Sequence, residues 1–221
     1  MVIIKSNIKK QKTKIKDRNI KVKICGITNL DDAICCVKAG ADALGFVFYK
    51  KSKRYISPED ARSIINRLPH NVIKVGVFVD EKQKAIRKIA RLCKLDFIQL
   101  HGSQTPAFCN RLGRYKIIKA FRIKKDIKNI PLEKYAVVAY LFDTFDRHLS
   151  GGTGKAFEWG LLSRIERHGQ FILSGGLNIA NIKKAIKIVR PDWVDVSSSL
   201  EKTPGIKDHL KVKKFIRLAK E

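Results

Sequence analysis

Cys25 closes the apolar stretch VKICGIT (residues 22–28), directly before a glycine turn. A thiol there has two uses. It can fill core space as a small hydrophobe, or act as a thiolate nucleophile or base in an electropositive setting. Asp143 ends a second apolar run, AVVAYLFD (136–143), and the glycine-rich TFDRHLSGGTGKA follows it. It can cap a turn, act as a general acid or base, or ligate a metal; no carboxylate–histidine cluster supports the metal. Arg54, in YKKSKRYISP, and Arg122 lie just past two further apolar runs. An arginine so placed can clamp a carboxylate or phosphate bidentately, although Arg122 reads as solvated surface. His101, after DFIQL, is a candidate ligand contact. Gly175 and Gly176 in SGGLN, with Ser198 and Ser199 in DVSSS, read as a backbone seat for phosphate, because glycine lets the chain approach a ligand closely. Gly152 and Gly154 in SGGTGK (150–155) read as substrate contacts on a hinged lid. They do not form a P-loop, since Ala156 follows Lys155 where Ser or Thr would bind Mg²⁺.

These residues recur at the ends of apolar runs, and the runs alternate with helical patterns. KVKIC, DALGFVF, VIKVGVFV, DFIQL, KIIKAF, AVVAYLFD, FILS and WVDVSS read as eight strands. TNLDDAICCVKAG, capped by Thr28 or Asn29 and closed by Gly40, reads as the first helix. SPEDARSIINRL is the clearest helix, with Ser57 as cap, Pro58 in the first turn and Asp60 placed to bond back to the cap backbone. Residues 122–134 are lysine-rich and carry a short helix at best. Eight strand–helix units predict an α/β fold, a (β/α)8 TIM barrel of the small single-domain form spanning 20–221. An open, doubly wound sheet is the other reading; the count of eight and the lack of GxGxxG after the first strand favour the barrel. Active sites of such barrels gather at the C-terminal strand ends, where every candidate above falls. Strand alternation puts Lys23 on the same side as Cys25.

The chain has 221 residues, 44% of them hydrophobic, with no long apolar run, no signal-like N-terminus and five cysteines without a CxxC. That predicts a cytoplasmic protein with neither a disulfide framework nor a membrane span. Net charge is +27. Residues 1–20 carry seven Lys/Arg against one Asp, a local +6, so 1–19 reads as a basic N-terminal extension. The remaining charge is spread over many helices. It reads as lysine-biased composition able to steer anionic small molecules, rather than as a specific nucleic-acid surface.

The motifs KVKICGITNLDDA, ADALGFVFYKKSKRYISPEDA, VGVFVD, DFIQLHG, LFDT…GGTGKAFEW, LSGGLN and DVSSSLEKTPGIKD, in that order over roughly 20–219, together resemble the phosphoribosylanthranilate isomerase family of tryptophan biosynthesis. The resemblance implies a barrel isomerase without metal or organic cofactor. The reaction would be the Amadori rearrangement of N-(5-phosphoribosyl)anthranilate to 1-(2-carboxyphenylamino)-1-deoxyribulose 5-phosphate. It implies Cys25 as general base, Asp143 as general acid, Arg54 facing the anthranilate carboxylate, and phosphate on backbone near Gly175, Gly176, Ser198 and Ser199. It also suggests association with, or ancestral fusion to, indole-glycerol-phosphate synthase. Two positions depart from the family pattern. Ser199 stands where glycine is usual and could crowd the phosphate or restrict the backbone. Ser174 replaces a usual alanine and could add a hydrogen bond. The implied mechanism asks for opposite tuning in one mouth, a protonated Asp143 and an ionised Cys25. A different phosphate-binding barrel enzyme and a non-catalytic nucleic-acid-binding barrel are the rival readings.

Overall fold

The structure, a computed structural model, describes residues 19–123, 130–143, 159–162 and 165–221. The basic segment up to residue 18 and the SGGTGK loop, with Gly152 and Gly154, lie outside the described residues. Eight parallel strands close a barrel in sequence order: β1 (Lys21–Cys25), β2 (Ala43–Val47), β3 (Ile73–Phe78), β4 (Phe97–Leu100), β5 (Lys116–Arg122), β6 (Ala139–Asp143), β7 (Gln170–Ser174) and β8 (Trp193–Val196). Around them run α1 (Leu30–Lys38), α2 (Pro58–Ile65), α3 (Gln83–Leu92), α4 (Pro106–Arg111), α5 (Trp159–Leu162), α6 (Ile182–Val189) and α7 (His209–Lys220). Between β5 and β6 the described residues form only a 3-10 turn, Leu132–Lys134. One feature was not expected: an antiparallel hairpin, β9 (Glu201–Thr203) and β10 (Ile206–Lys207), follows β8. Its strands are too short to show a period. The signal was the Pro204–Gly205 turn, where Gly205 adopts φ +90°.

Period-two alternation sorts each strand between two cores. On β1, Val22 and Ile24 join the outer core that the helices cover, whereas Lys23 and Cys25 point into the barrel. The interior is filled by Ala43, Val75, Ile118, Ala120, Ala139, Leu141, Ile172 and Trp193. Lys23 lies in this apolar filling fully buried, and its Nζ sits 2.7 Å from Oδ1 of Asp195, its register partner on β8.

Local signals explain how the loops are held. Asn29 caps α1 by accepting from the Asp32 N–H (2.8 Å), and Gly40, φ +95°, follows its end. Ser57 caps α2. Asp60 differs from expectation: its carboxylate accepts from the Ser57 hydroxyl (2.6 Å), a shorter reach than to the cap backbone. Asp32 does more than complement the α1 dipole. It is buried, accepts from the Lys207 N–H (2.7 Å) and pairs with His209 Nε2 (2.8 Å), tying α1 to β10 and to the start of α7. Replacing it strands a buried backbone donor, so Asp32→Ala should lower the unfolding free energy by about 3 kcal/mol in urea denaturation.

Candidate active site at the C-terminal mouth of the barrel

The last residues of the strands meet at one end of the barrel. A cavity of about 350 Å³ there is lined by Arg54, Asp143, Ser174, Gly175, Gly176, Asp195 and Ser197–Ser199, among others. Cys25 ends β1 at the same level, partly exposed. Its carbonyl oxygen accepts from Ser197 Oγ (2.9 Å) and Lys207 Nζ (2.6 Å), so the backbone beneath the thiol is fixed from β8 and from the hairpin. Gly45 on β2 lies against it. A Cβ at that glycine would sit 2.8 Å from Cys25 Sγ and 3.1 Å from its Cα. Gly26 turns the chain away at φ +79°, and a Cβ there would come within 2.6 Å of Arg54 Cδ. What Gly26 clears is therefore the Arg54 side chain.

Arg54 is carried by the β2–α2 loop and held in place by a fork. Its Nε and Nη2 donate to the two oxygens of Glu201 at 2.8 and 2.6 Å. Three of its five N–H donors stay uncommitted among the described residues. Glu201 is itself braced by the buried Lys207 (2.9 Å). Burial opposes ionisation of Glu201, but the Arg54 hydrogen bond and the Lys207 charge outweigh it and hold its carboxyl below the usual range.

Asp143, at the end of β6, faces His101 Nε2 across 3.3 Å. His101 Nδ1 lies 3.0 Å from Gln99 Nε2 on β4. The imidazole is held between the Gln99 amide and the Asp143 carboxylate. His101 thus meets the carboxylate across the mouth, and Gln99 orients it. Arg122 is exposed, as expected.

Gly175 and Gly176 adopt φ +85° and +65°, and the Gly176 α-carbon faces open space, so glycine there meets a backbone need. Ser199 lines the same cavity. Its φ is not in the left-handed region, and its hydroxyl donates to the Leu177 carbonyl (2.6 Å), joining the loops after β7 and β8. Ser174 adds the hydrogen bond that serine allows, reaching Asp195 Oδ2 at 3.3 Å.

The thiols fall into two groups. Burial pushes Cys36 up to about 12 and Cys93 up to about 11, as expected of core thiols. Burial also raises Cys25, but Lys23 and Lys207 pull it back while Asp195 adds to the rise. Among the described residues no group of three or more His, Cys, Asp or Glu could hold a metal ion. No helix among them is long and apolar enough to cross a membrane.

Four residues of this site had no role in the sequence reading. Asp195 lay at a strand end but showed no partner until β8 was set beside β1. Gly45 is a glycine inside a strand, which is itself a sign of close backbone approach. Glu201 and Lys207 belong to the short hairpin, and their pairing is a tertiary fact.

Fold and mouth together define a (β/α)8-barrel enzyme for a small anionic substrate. The chain matches, over residues 22–218, the family described as N-(5'phosphoribosyl)anthranilate (PRA) isomerase. It is 46% identical to N-(5'-phosphoribosyl)anthranilate isomerase of Pelobacter propionicus, covering 91% of this chain and 96% of that protein. It is similar to the crystal structure of phosphoribosyl anthranilate isomerase from Thermotoga maritima, with TM-score 0.84, 47% identity and coverage of 91% and 98%. A further similar structure (TM-score 0.79, 45% identity, coverage of 91% and 98%) is that isomerase in complex with reduced 1-(o-carboxyphenylamino)-1-deoxyribulose 5-phosphate. The chain belongs to the N-(5'-phosphoribosyl)anthranilate isomerase family, enzymes of tryptophan biosynthesis.

Two outcomes follow from this geometry. Gly45→Ala should displace the thiol and lower kcat/KM by about 10²-fold with thermal stability little changed, as read by steady-state assay and calorimetry. Glu201 contributes stability above its unfolded value near 4.5, and that contribution is lost as pH falls through its lower folded value. Glu201→Gln should therefore be less stable than the parent at pH 7 and show a flatter loss of stability below about pH 4.5 in denaturant titrations.

Proposed function

We propose that this chain carries out the Amadori rearrangement of N-(5-phosphoribosyl)anthranilate with Cys25 as general base and Asp143 as general acid. The observation that carries the proposal is the shared mouth. A thiol at the end of β1 and a carboxylate at the end of β6 open beside a glycine–serine seat and an oriented arginine. Asp143, protonated, gives its proton to the ribose ring oxygen as the C1–O bond breaks, leaving an iminium at C1. The Cys25 thiolate then takes the proton from C2. The electron pair of that C–H bond moves to C1–C2 and neutralises the iminium nitrogen, giving an enolamine that tautomerises to the ketone. His101, against Asp143, orients the acid. Arg54 offers its free donors to the anthranilate carboxylate while Glu201 keeps the guanidinium in plane.

The phosphate is assigned to backbone at Gly175, Gly176, Ser198 and Ser199, with the Ser199 hydroxyl turned to Leu177 and so leaving the seat clear. Gly152 and Gly154 stay assigned as substrate contacts from the loop after β6. A cytoplasmic setting fits the five free cysteines. Association with, or descent from a fusion to, indole-glycerol-phosphate synthase stays attached to the basic segment 1–19.

The test is turnover of freshly generated phosphoribosylanthranilate, followed by the loss of its fluorescence. Cys25→Ala and Asp143→Asn should each lower kcat by about 10³-fold or more with native circular dichroism retained. Parent-like turnover in either variant would end the acid–base assignment.

A further inference from the structure

We propose that Lys23, buried inside the barrel and paired with Asp195, is a positioning residue that holds Cys25 ready to ionise. The proposal rests on the reading of Cys25 as base and adds the groups that make it one. Lys23 precedes Cys25 by two residues on β1, so both side chains point to the interior. Its ammonium is fully buried and lies 2.7 Å from Asp195 Oδ1, and its charge favours the ionised Cys25 thiol. The carboxylate keeps Lys23 charged where burial alone would strip its proton, and the charged ammonium then faces the thiol.

Stability alone does not ask for this pair. The surrounding layer is apolar, and a buried ion pair is commonly matched or bettered in stability by apolar side chains of similar volume. A cation at this height in the barrel is useful because a thiol lies directly above it.

The charges around Cys25 support the same reading. Lys23 stands on β1 and Asp195 on β8; Lys207 and Glu201 come from the hairpin and Arg54 from the β2–α2 loop. On the other flank β2 contributes Gly45, which carries no charge. Three cations against two carboxylates leave one positive charge, which a Cys25 thiolate balances. The neutral thiol leaves it unmatched.

The experiment is the pH dependence of Cys25 alkylation by iodoacetamide in the full-length protein, resolved to that site by mass spectrometry. Lys23→Gln should move the midpoint up by about 1–3 pH units, and Asp195→Asn, which lets burial strip the proton from Lys23, should move it up as well. Lys23→Arg should stay near the parent. The limb of the kcat/KM profile that rises with pH should move in the same direction. A purely structural pair would give two destabilised variants whose midpoints stay with the parent. Unchanged midpoints in folded Lys23→Gln overturn the proposal. If that variant does not fold, an unchanged midpoint in Asp195→Asn overturns it equally. Failure here leaves Cys25 standing as base, whereas full turnover by Cys25→Ala would remove the base without touching the midpoint shifts.

Discussion

The Lys23–Asp195 ion pair lies on the seam where the last strand of the barrel meets the first. Closing eight strands requires β8 to find β1 across almost the whole chain. The register there sets Lys21 against Trp193, Val22 against Val194, Lys23 against Asp195 and Ile24 against Val196. A slip of one residue would turn Lys23 or Asp195 out of the interior and leave its partner as an unpaired buried charge. The charge pair therefore penalises every wrong closure more strongly than apolar neighbours could. The correct closure also brings Asp195 and Ser197 to the mouth beside Cys25.

From that seam a chain of polar contacts runs outward and fixes the loops around the mouth. Ser197 and Lys207 both hold the Cys25 carbonyl. Lys207 holds Glu201, and Glu201 holds Arg54. Asp32 accepts from the backbone of Lys207, and Thr28 donates to the Gly205 carbonyl at 2.5 Å, so the first helix and its entry loop brace the hairpin. Ser199 joins the loop after β8 to the loop after β7. Each functional side chain is thus set by neighbours whose own positions are fixed, which is what a precise site needs. The hairpin, five residues in two short strands, orients both the arginine and the backbone under the thiol.

The sequence showed the barrel because barrel strands buried on both faces read as continuous apolar runs, and because helix caps and glycine stops punctuate them. Cys25, Asp143 and the Gly175–Gly176 turn were visible because they stand at the ends of such runs. Alternation also showed that Lys23 shares a face with Cys25, but not that Asp195 would meet it, since pairing across the seam is a long-range event. Glu201 and Lys207 were hidden for a similar reason. Two charged residues flanking a Pro–Gly turn look like surface, and only the closed structure buries them. Ser199 shows a related limit: its departure from the family pattern was visible, but its hydrogen bond to Leu177 across two loops was not.

The acid–base pairing proposed for Cys25 and Asp143 asks for an ionised thiol and a protonated carboxyl in one mouth, and the two groups stand in separate neighbourhoods. β1 and β6 are three strand steps apart around the wall, each of about 4.8 Å. Lys23, Lys207 and Arg54 are cations close to the thiol, all on or beside the β8–β1–β2 arc. Asp143, on the β4–β6 side, meets an imidazole whose outer nitrogen is oriented by Gln99, a neutral amide. An imidazole is a weaker and reversible source of positive charge than a lysine or arginine. The strand order brings the two groups to one mouth with Lys23 and Lys207 on the side of the thiol.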